Sequence, residues 1–375
     1  MKQITHGRID DMIHRVYGFV RKTGFCFRNA ILIAFIIPTM ISAQESRLVV
    51  DTFHSVALEG NLLGDSPHRN VIVYLPPSYD TDLHRRYPVV YLLHGNTAKV
   101  EGTFNPATSW IEKMNINTLM DSLIRAKVVR EMILAMPNGR NRYRGSHYVN
   151  SSVTGKWADY IACDLVQHID SNYRTLPSAQ SRGLAGCSMG GRGTLYLGMT
   201  YPDVFGVIYG LSSGEMNFGE LSQPDNPESW SKLLQLQDIS QAEWGMVRMI
   251  GLAAAFSPNP DRPPFFVDFQ YELVDGTVRP LPEVFKKWQA YDPVALVSSS
   301  QENLQQLKAI RFDCGKSDGM AITGNRALAK ALTAVGIPHI YEEYEGNHGN
   351  RWPERMKTKV LPFFSEVLAF TVSSK

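Results

Sequence analysis

One turn limits what this chain can fold into. Gly186, Cys187, Ser188, Met189 and Gly190 spell G-x-S-x-G within a run of small residues, 183–193. The pattern makes chemical sense where a buried strand ends in a sharp turn and a helix starts at once. Such a turn strains the serine backbone and lifts the hydroxyl clear of the sheet. Glycines at 186 and 190 remove side chains that would collide across it. Arg182 to Cys187 is short and mostly small or apolar, as a buried strand can be, and residues 194–200 suit a helix that ends before Pro202. By itself the pattern also fits a glycine-rich turn whose serine caps a helix, so the rest of a reaction centre has to be sought elsewhere.

The surrounding chain alternates strands and helices. Arg47 to Val56 and Asn70 to Leu75 read as leading strands, the second closed by Pro76-Pro77. Val89 to Leu93 is wholly apolar, as a parallel strand buried on both faces would be, and opens into His94-Gly95-Asn96. The spacing predicts a helix from about Thr108 to Arg125, a buried strand from Val128 to Met136 and a helix from Lys156 to Ser171. After the serine turn come a strand from Val204 to Leu211, a strand from Leu307 to Asp313, a helix from Ala321 to Val335, a strand from Pro338 to Glu343 and a helix from Pro353 to Phe370. Alternation of this kind predicts a mostly parallel central sheet flanked by helices. Residues 214–300 break the rhythm with Pro and aromatic residues and no clear strand, and are expected as an insertion after the sixth strand, at the sheet edge where such folds bind ligands.

At 375 residues and 44% hydrophobic content the chain can bury a large core. Residues 1–43 do not fit that core. Arg21, Lys22 and Arg28 precede an apolar run, 30–37, and Ile41-Ser42-Ala43 offers small residues to an exporting peptidase, so an export signal cleaved near Ala43 is expected and residues 44–375 form one catalytic domain. A translation start at Met12 would give that leader an ordinary length. The apolar run is short for a bilayer and Pro38 interrupts it, so no lasting membrane insertion is expected. The leader carries six Lys/Arg and two Asp, which takes the whole chain's +2 to about −2 for the remainder. No basic stripe is left for nucleic acid. Cys163, Cys187 and Cys314 show no metal-ligand spacing and read as small buried thiols, with one disulfide open to an oxidising compartment. No metal or organic cofactor is implied.

A serine hydroxyl needs a base near neutral pH, and histidine suits that task. His348 lies between Gly346 and Gly349 on the loop after the last strand. In this order of elements an acid falls between serine and histidine, and Asp313 and Asp318 are the candidates. Asp313 sits in the strand or at its lip, whereas Asp318 lies beyond Gly315 on the loop, with the reach to meet a histidine from the next loop. Two backbone N–H groups must face the oxyanion: that of Met189, and one from the loop after the third strand, where Asn96 is preferred over Gly95. Trp244, Trp288 and other insertion aromatics would either wall a substrate pocket or pack the insertion's own core. Arg140 to Arg144 would meet an anionic group or form a solvated loop.

The phrases Val73 to Tyr79, Tyr87 to Gly95, Trp157 to Tyr160, Gly183 to Gly191, Tyr201 to Phe205 and Gly346 to His348 resemble the esterase-D-type family of α/β-hydrolases. That family includes feruloyl and acetyl-xylan esterases, S-formylglutathione hydrolases, siderophore (enterochelin-type) esterases and mycolyltransferases. The resemblance covers residues 47–371 and implies a Ser188, Asp318 and His348 triad in a serine esterase acting on a small-molecule or carbohydrate-linked ester, such as an acetyl or feruloyl ester. An acyltransferase, a siderophore esterase or an inactive carbohydrate-binding module on the same scaffold are the alternatives. Cys187 stands where many relatives carry histidine, and the long insertion weakens any carry-over of substrate.

Overall fold

The computed structural model describes residues 45–96, 108–218 and 226–371. The expected leader, residues 1–43, lies outside the described residues. Eight strands form the central sheet: β1 (Arg47–His54), β2 (His68–Leu75), β3 (Val89–Leu93), β4 (Ile133–Pro137), β5 (Arg182–Cys187), β6 (Val207–Leu211), β7 (Ala309–Gly315) and β8 (Ile340–Tyr344). Their spatial order is β1-β2-β4-β3-β5-β6-β7-β8. β2 runs antiparallel to both neighbours, and β3 to β8 pair in parallel. Parallel strands put all their C-terminal loops at one sheet edge, so the loops after β3, β5, β6, β7 and β8 converge there.

The pleat sorts the core into two layers. Val71, Val73, Val89, Tyr91, Leu93 and Leu184 face one cluster, and Ile72, Tyr74, Val90, Leu92, Ala185 and Tyr209 face the other. On the first face lie residues 157–172, α2 (Met189–Thr200) and α4 (Ile322–Ala334), through Ile161, Leu197, Leu328 and Leu332; on the second lie α1 (Ile116–Arg125) and the C-terminal helical residues 352–367, through Met120, Leu123, Val360 and Phe364. The expected α/β architecture is therefore present, with both faces of the sheet covered.

Three sequence expectations give way. The helix from Thr108 breaks at Asn115, whose φ of 47° lies in the left-handed region. Residues 128–132 turn into β4 rather than belonging to it: Val128 is exposed, and Lys127, at φ 57°, makes the turn. Residues 214–300 do contain strands, a hairpin of Tyr271–Val274 with Thr277–Pro280. Its turn, Asp275-Gly276, has positive φ at both residues, as a two-residue hairpin loop requires. The insertion also carries α3 (Trp244–Phe256) and its own core around Phe256, Val284 and Trp288. Among the described residues no helix is long and apolar enough to cross a membrane.

Candidate active site

Ser188 closes β5 with φ 55° and ψ −119°, a conformation that costs a non-glycine residue about 1–3 kcal/mol. The surroundings hold it there. Its N–H donates to Leu211 O at 3.0 Å, and its carbonyl accepts from Arg192 N–H at 3.0 Å and Gly214 N–H at 3.2 Å. The two glycines are steric requirements: a Cβ at Gly186 would sit 2.3 Å from Gly190 O, and one at Gly190 would sit 2.1 Å from Leu93 O. Admitting the first would need the backbone of α2 to move, and admitting the second that of β3.

The loops after β7 and β8 lie backbone to backbone. Lys316 N–H donates to Tyr344 O and Ser317 N–H to Gly346 O, each at 2.9 Å, and a Cβ on Gly315 would come within 2.4 Å of Gly346 O. This packing brings Asp318 and His348 together. His348 Nδ1 lies 2.9 Å from Asp318 Oδ2, and His348 Nε2 lies 2.9 Å from Ser188 Oγ. Asp318 is buried, and its other oxygen accepts the Met320 and Ala321 N–H groups at 3.2 Å. Burial alone would raise its carboxyl, but the hydrogen bond and charge of His348 outweigh that and hold it below the usual carboxylate range. A carboxylate of this kind fixes Nδ1 as the protonated ring nitrogen and leaves Nε2 to accept the serine proton.

Asp313, the other acid considered, is not near His348. It sits inside β7, fully buried, where it accepts from Tyr209 Oη at 2.7 Å and Arg355 Nε at 2.8 Å. Burial pushes its carboxyl up, against the pull of Arg355. Its work is internal to the sheet.

Met189 is the first residue of α2, so its N–H has no acceptor within the helix. Asn96 follows β3, and the loop carrying Gly145 presses on both: a Cβ on Gly145 would lie 1.9 Å from Asn96 Oδ1 and 2.6 Å from Met189 Sδ. Gly95 lies against the nucleophile itself, its missing Cβ 3.2 Å from Ser188 Cβ. His94 anchors this loop. Its Nε2 accepts Gly139 N–H at 2.9 Å, which leaves Nδ1 as the N–H that donates to Gly95 O at 2.8 Å. Burial drives the ring to about 4, so it is neutral at pH 7 and keeps this tautomer.

Of the aromatic residues considered for a pocket wall, Trp244 is half-buried at the start of α3, with the Arg144 guanidinium 5.3 Å from its ring centre. Trp288 is a correction. It is 2% exposed, gives its indole N–H to Ser257 Oγ at 2.8 Å and packs edge-on to Phe256 and Phe218, which leaves it no face for a substrate. Cys163 is likewise exposed where a buried thiol was expected, while Cys187 and Cys314 are buried; all three are unpaired. Among the described residues no three His, Cys, Asp or Glu side chains form a group able to hold a metal ion.

Sequence reasoning missed a buried charged cluster on the segment after β6. Glu215 Oε1 accepts from Arg248 Nε at 2.7 Å, and Oε2 lies 3.2 Å from His147 Nδ1, close enough for an ion pair but not aligned for a hydrogen bond. Burial opposes ionisation of Glu215, yet His147 and the Arg248 guanidinium hold it below the usual carboxylate range, while burial holds the His147 ring itself below its ordinary value. These three residues come from three distant segments, so no spacing in the sequence announces them. Arg144, His147, Tyr148, Ser188, Ser212, Glu215 and Asn217 all have positive φ, so the serine turn, the 144–148 loop and the segment after β6 each carry backbone strain.

Residues 66–361 match the family model described as "Putative esterase". A Mycobacterium tuberculosis esterase is 31% identical over 291 residues, 76% of this chain and 53% of that protein. An endo-1,4-beta-xylanase/feruloyl esterase of Xylanibacter ruminicola is 30% identical over 155 residues, 40% of this chain and 20% of that protein. This chain thus spans about half the length of the first relative and a fifth of the second. Among solved structures, a ferulic acid esterase superposes with a TM-score of 0.61 at 21% identity, covering 87% of this chain and all of that one. An S-formylglutathione hydrolase from Agrobacterium tumefaciens gives 0.56 at 16% identity, covering 88% and 98%. These structures share the α/β-hydrolase fold.

The two aspartates should separate cleanly. Asp318→Asn is expected to lower kcat on a simple ester by about 10⁴-fold with little change in thermal midpoint. Asp313→Asn should cost about 3 kcal/mol in urea unfolding and leave kcat of the folded protein within a few-fold. His94 supplies a pH dependence of known sign. Its folded pKa lies below the ordinary 6.5, so the unfolded chain takes up the proton first, and stability falls as pH drops from about 6.5 to 4. The stability advantage of wild type over His94→Asn should therefore shrink by about 3 kcal/mol between pH 7 and pH 4 in urea titrations.

Proposed function

The chain belongs to the esterase family, and from that footing we propose that it is a serine carboxylic-ester hydrolase working through an acyl-enzyme. The observation that carries the proposal is the unbroken series Ser188 Oγ, His348 Nε2, His348 Nδ1 and Asp318 Oδ2, with both contacts at 2.9 Å. Ser188 Oγ attacks the ester carbonyl as His348 Nε2 takes its proton. The Oγ–C bond forms, the C–O bond to the alcohol breaks, and His348 returns the proton to the departing oxygen. Asp318 stabilises the imidazolium in between. The N–H groups of Met189 and Asn96 receive the oxyanion, and Gly95 gives the carbonyl its close approach. Water then attacks the acyl-enzyme through the same histidine, releasing the acid and restoring Ser188.

The natural substrates in this proposal are acetyl or feruloyl esters of carbohydrates. What supports them is the likeness to feruloyl esterases, a bacterial endo-1,4-beta-xylanase/feruloyl esterase in sequence and a ferulic acid esterase in fold. Such substrates lie outside the cell, in keeping with residues 1–43 serving as an export leader. No cofactor takes part in this reaction, and the glycan enters only as the alcohol of the ester.

Ser188→Ala is expected to reduce kcat/KM for p-nitrophenyl acetate and for a feruloyl ester by at least about 10³-fold. Retention of a tenth or more of the wild-type rate on both would contradict the proposal.

A further inference from the structure

Gly214 is a glycine that the fold does not require. It has no positive φ, and among the described residues a Cβ built there meets only two atoms within 4 Å, Ser188 Oγ at 3.6 Å and Ser188 C at 3.9 Å. Both are ordinary van der Waals distances. The glycines at 186, 190 and 315 have backbone atoms well under 3 Å from where their Cβ would stand. The space left free at position 214 therefore opens onto the nucleophile alone.

The reacting carbon has four directions to fill, and three are already assigned. One is Ser188 Oγ. The oxyanion points to the N–H groups of Met189 and Asn96. The alcohol oxygen must lie near His348 Nε2 to receive its proton. Gly95 closes in on Ser188 Cβ, where a side chain would stand 3.2 Å away. One direction is left, for the carbon chain of the acid, and the open space beside Ser188 Oγ at position 214 is the candidate for it. We infer that position 214 is the specificity-determining wall of the acyl site, where the absence of a side chain admits an acyl group larger than formyl; this rests on the ester-hydrolase reading above.

For one missing methyl group to set selectivity, the wall must not yield. The segment is tied at both ends and in the middle. Ser212 N–H donates to Asp313 O at 2.8 Å, and Gly214 N–H donates to Ser188 O at 3.2 Å. The Glu215 carboxylate is held by Arg248 of α3 at 2.7 Å and faces His147 at 3.2 Å. Asn217 and Phe218 donate their N–H groups to the buried Asp292 carboxylate at 3.1 and 2.7 Å. Met216 rests against Gly324 of α4, where an added Cβ would meet Met216 Cβ at 3.0 Å. A methyl group at 214 would thus stay where it is put and occupy space meant for the acyl chain.

The test is Gly214→Ala in the full-length chain, assayed by pH-stat titration on ethyl formate, ethyl acetate and ethyl butyrate, with the thermal midpoint recorded. The formate has hydrogen in the contested direction, so its kcat/KM should stay within about threefold of wild type, while acetate falls by about tenfold or more and butyrate further, in line with the 10- to 200-fold worth of a methylene in a close-fitting pocket. The thermal midpoint should move by no more than about 2 °C, since no contact in the fold is violated. An equal loss on all three esters, with or without a lowered midpoint, would mean that the methyl disturbs the nucleophile instead and would overturn the inference; so would unchanged rates on all three. If the wild type cleaves none of the three esters and matches Ser188→Ala, the ester-hydrolase reading itself fails.

Discussion

The arrangement depends on a strained residue held between two others. Ser188 adopts φ 55° only because β5 ends against Leu211 and Leu93 and because residues 186 and 190 carry no side chains. The strain of about 1–3 kcal/mol is offset by hydrogen bonds on both sides of the serine peptide and by the buried sheet beneath it. In return the hydroxyl stands clear at the start of α2, where the first N–H groups of the helix have no partners of their own. Everything else at the site is placed relative to that hydroxyl. The loops after β7 and β8 pack on each other to deliver the carboxylate and imidazole, and the loop after β3 is fastened by a neutral, buried His94.

Much of this was readable from the sequence because its causes are local or ordered along the chain. The glycine spacing around Ser188 is a steric rule, and a parallel sheet sends its loops to one edge, so chain order alone points to His348 and favours Asp318 over Asp313. The alternation of strands and helices was likewise visible in apolar runs of five or six residues. Boundaries failed where a single left-handed residue, Asn115 or Lys127, ended an otherwise regular pattern. The hairpin in the insertion did have a signal, Asp275-Gly276 between short β-favouring runs, but the surrounding prolines and aromatics obscured it.

What stayed hidden depends on long-range burial. Trp288 and Trp244 are both aromatic residues of the insertion, and only the packing of Phe256 and Val284 shows that the first is core, while the second stays half-buried beside Arg144. Glu215, His147 and Arg248 meet from three separate segments, and a buried carboxylate on an irregular stretch leaves no periodic mark. The insertion therefore has a structural role toward the site. Through Arg248 and Asp292 it holds the segment after β6 against the nucleophile, which links the least predictable part of the chain to the most predictable.

The most direct test of the central claim is covalent. Brief exposure of the full chain at pH 7 to an alkyl fluorophosphonate, followed by intact-mass and peptide analysis, reports whether Ser188 is an activated nucleophile. One phosphonyl group per chain, located on Ser188 and absent from both Ser188→Ala and His348→Ala, is the result expected of a serine activated by His348. Labelling that persists in Ser188→Ala, or a wild-type chain that takes up no reagent, would contradict the account.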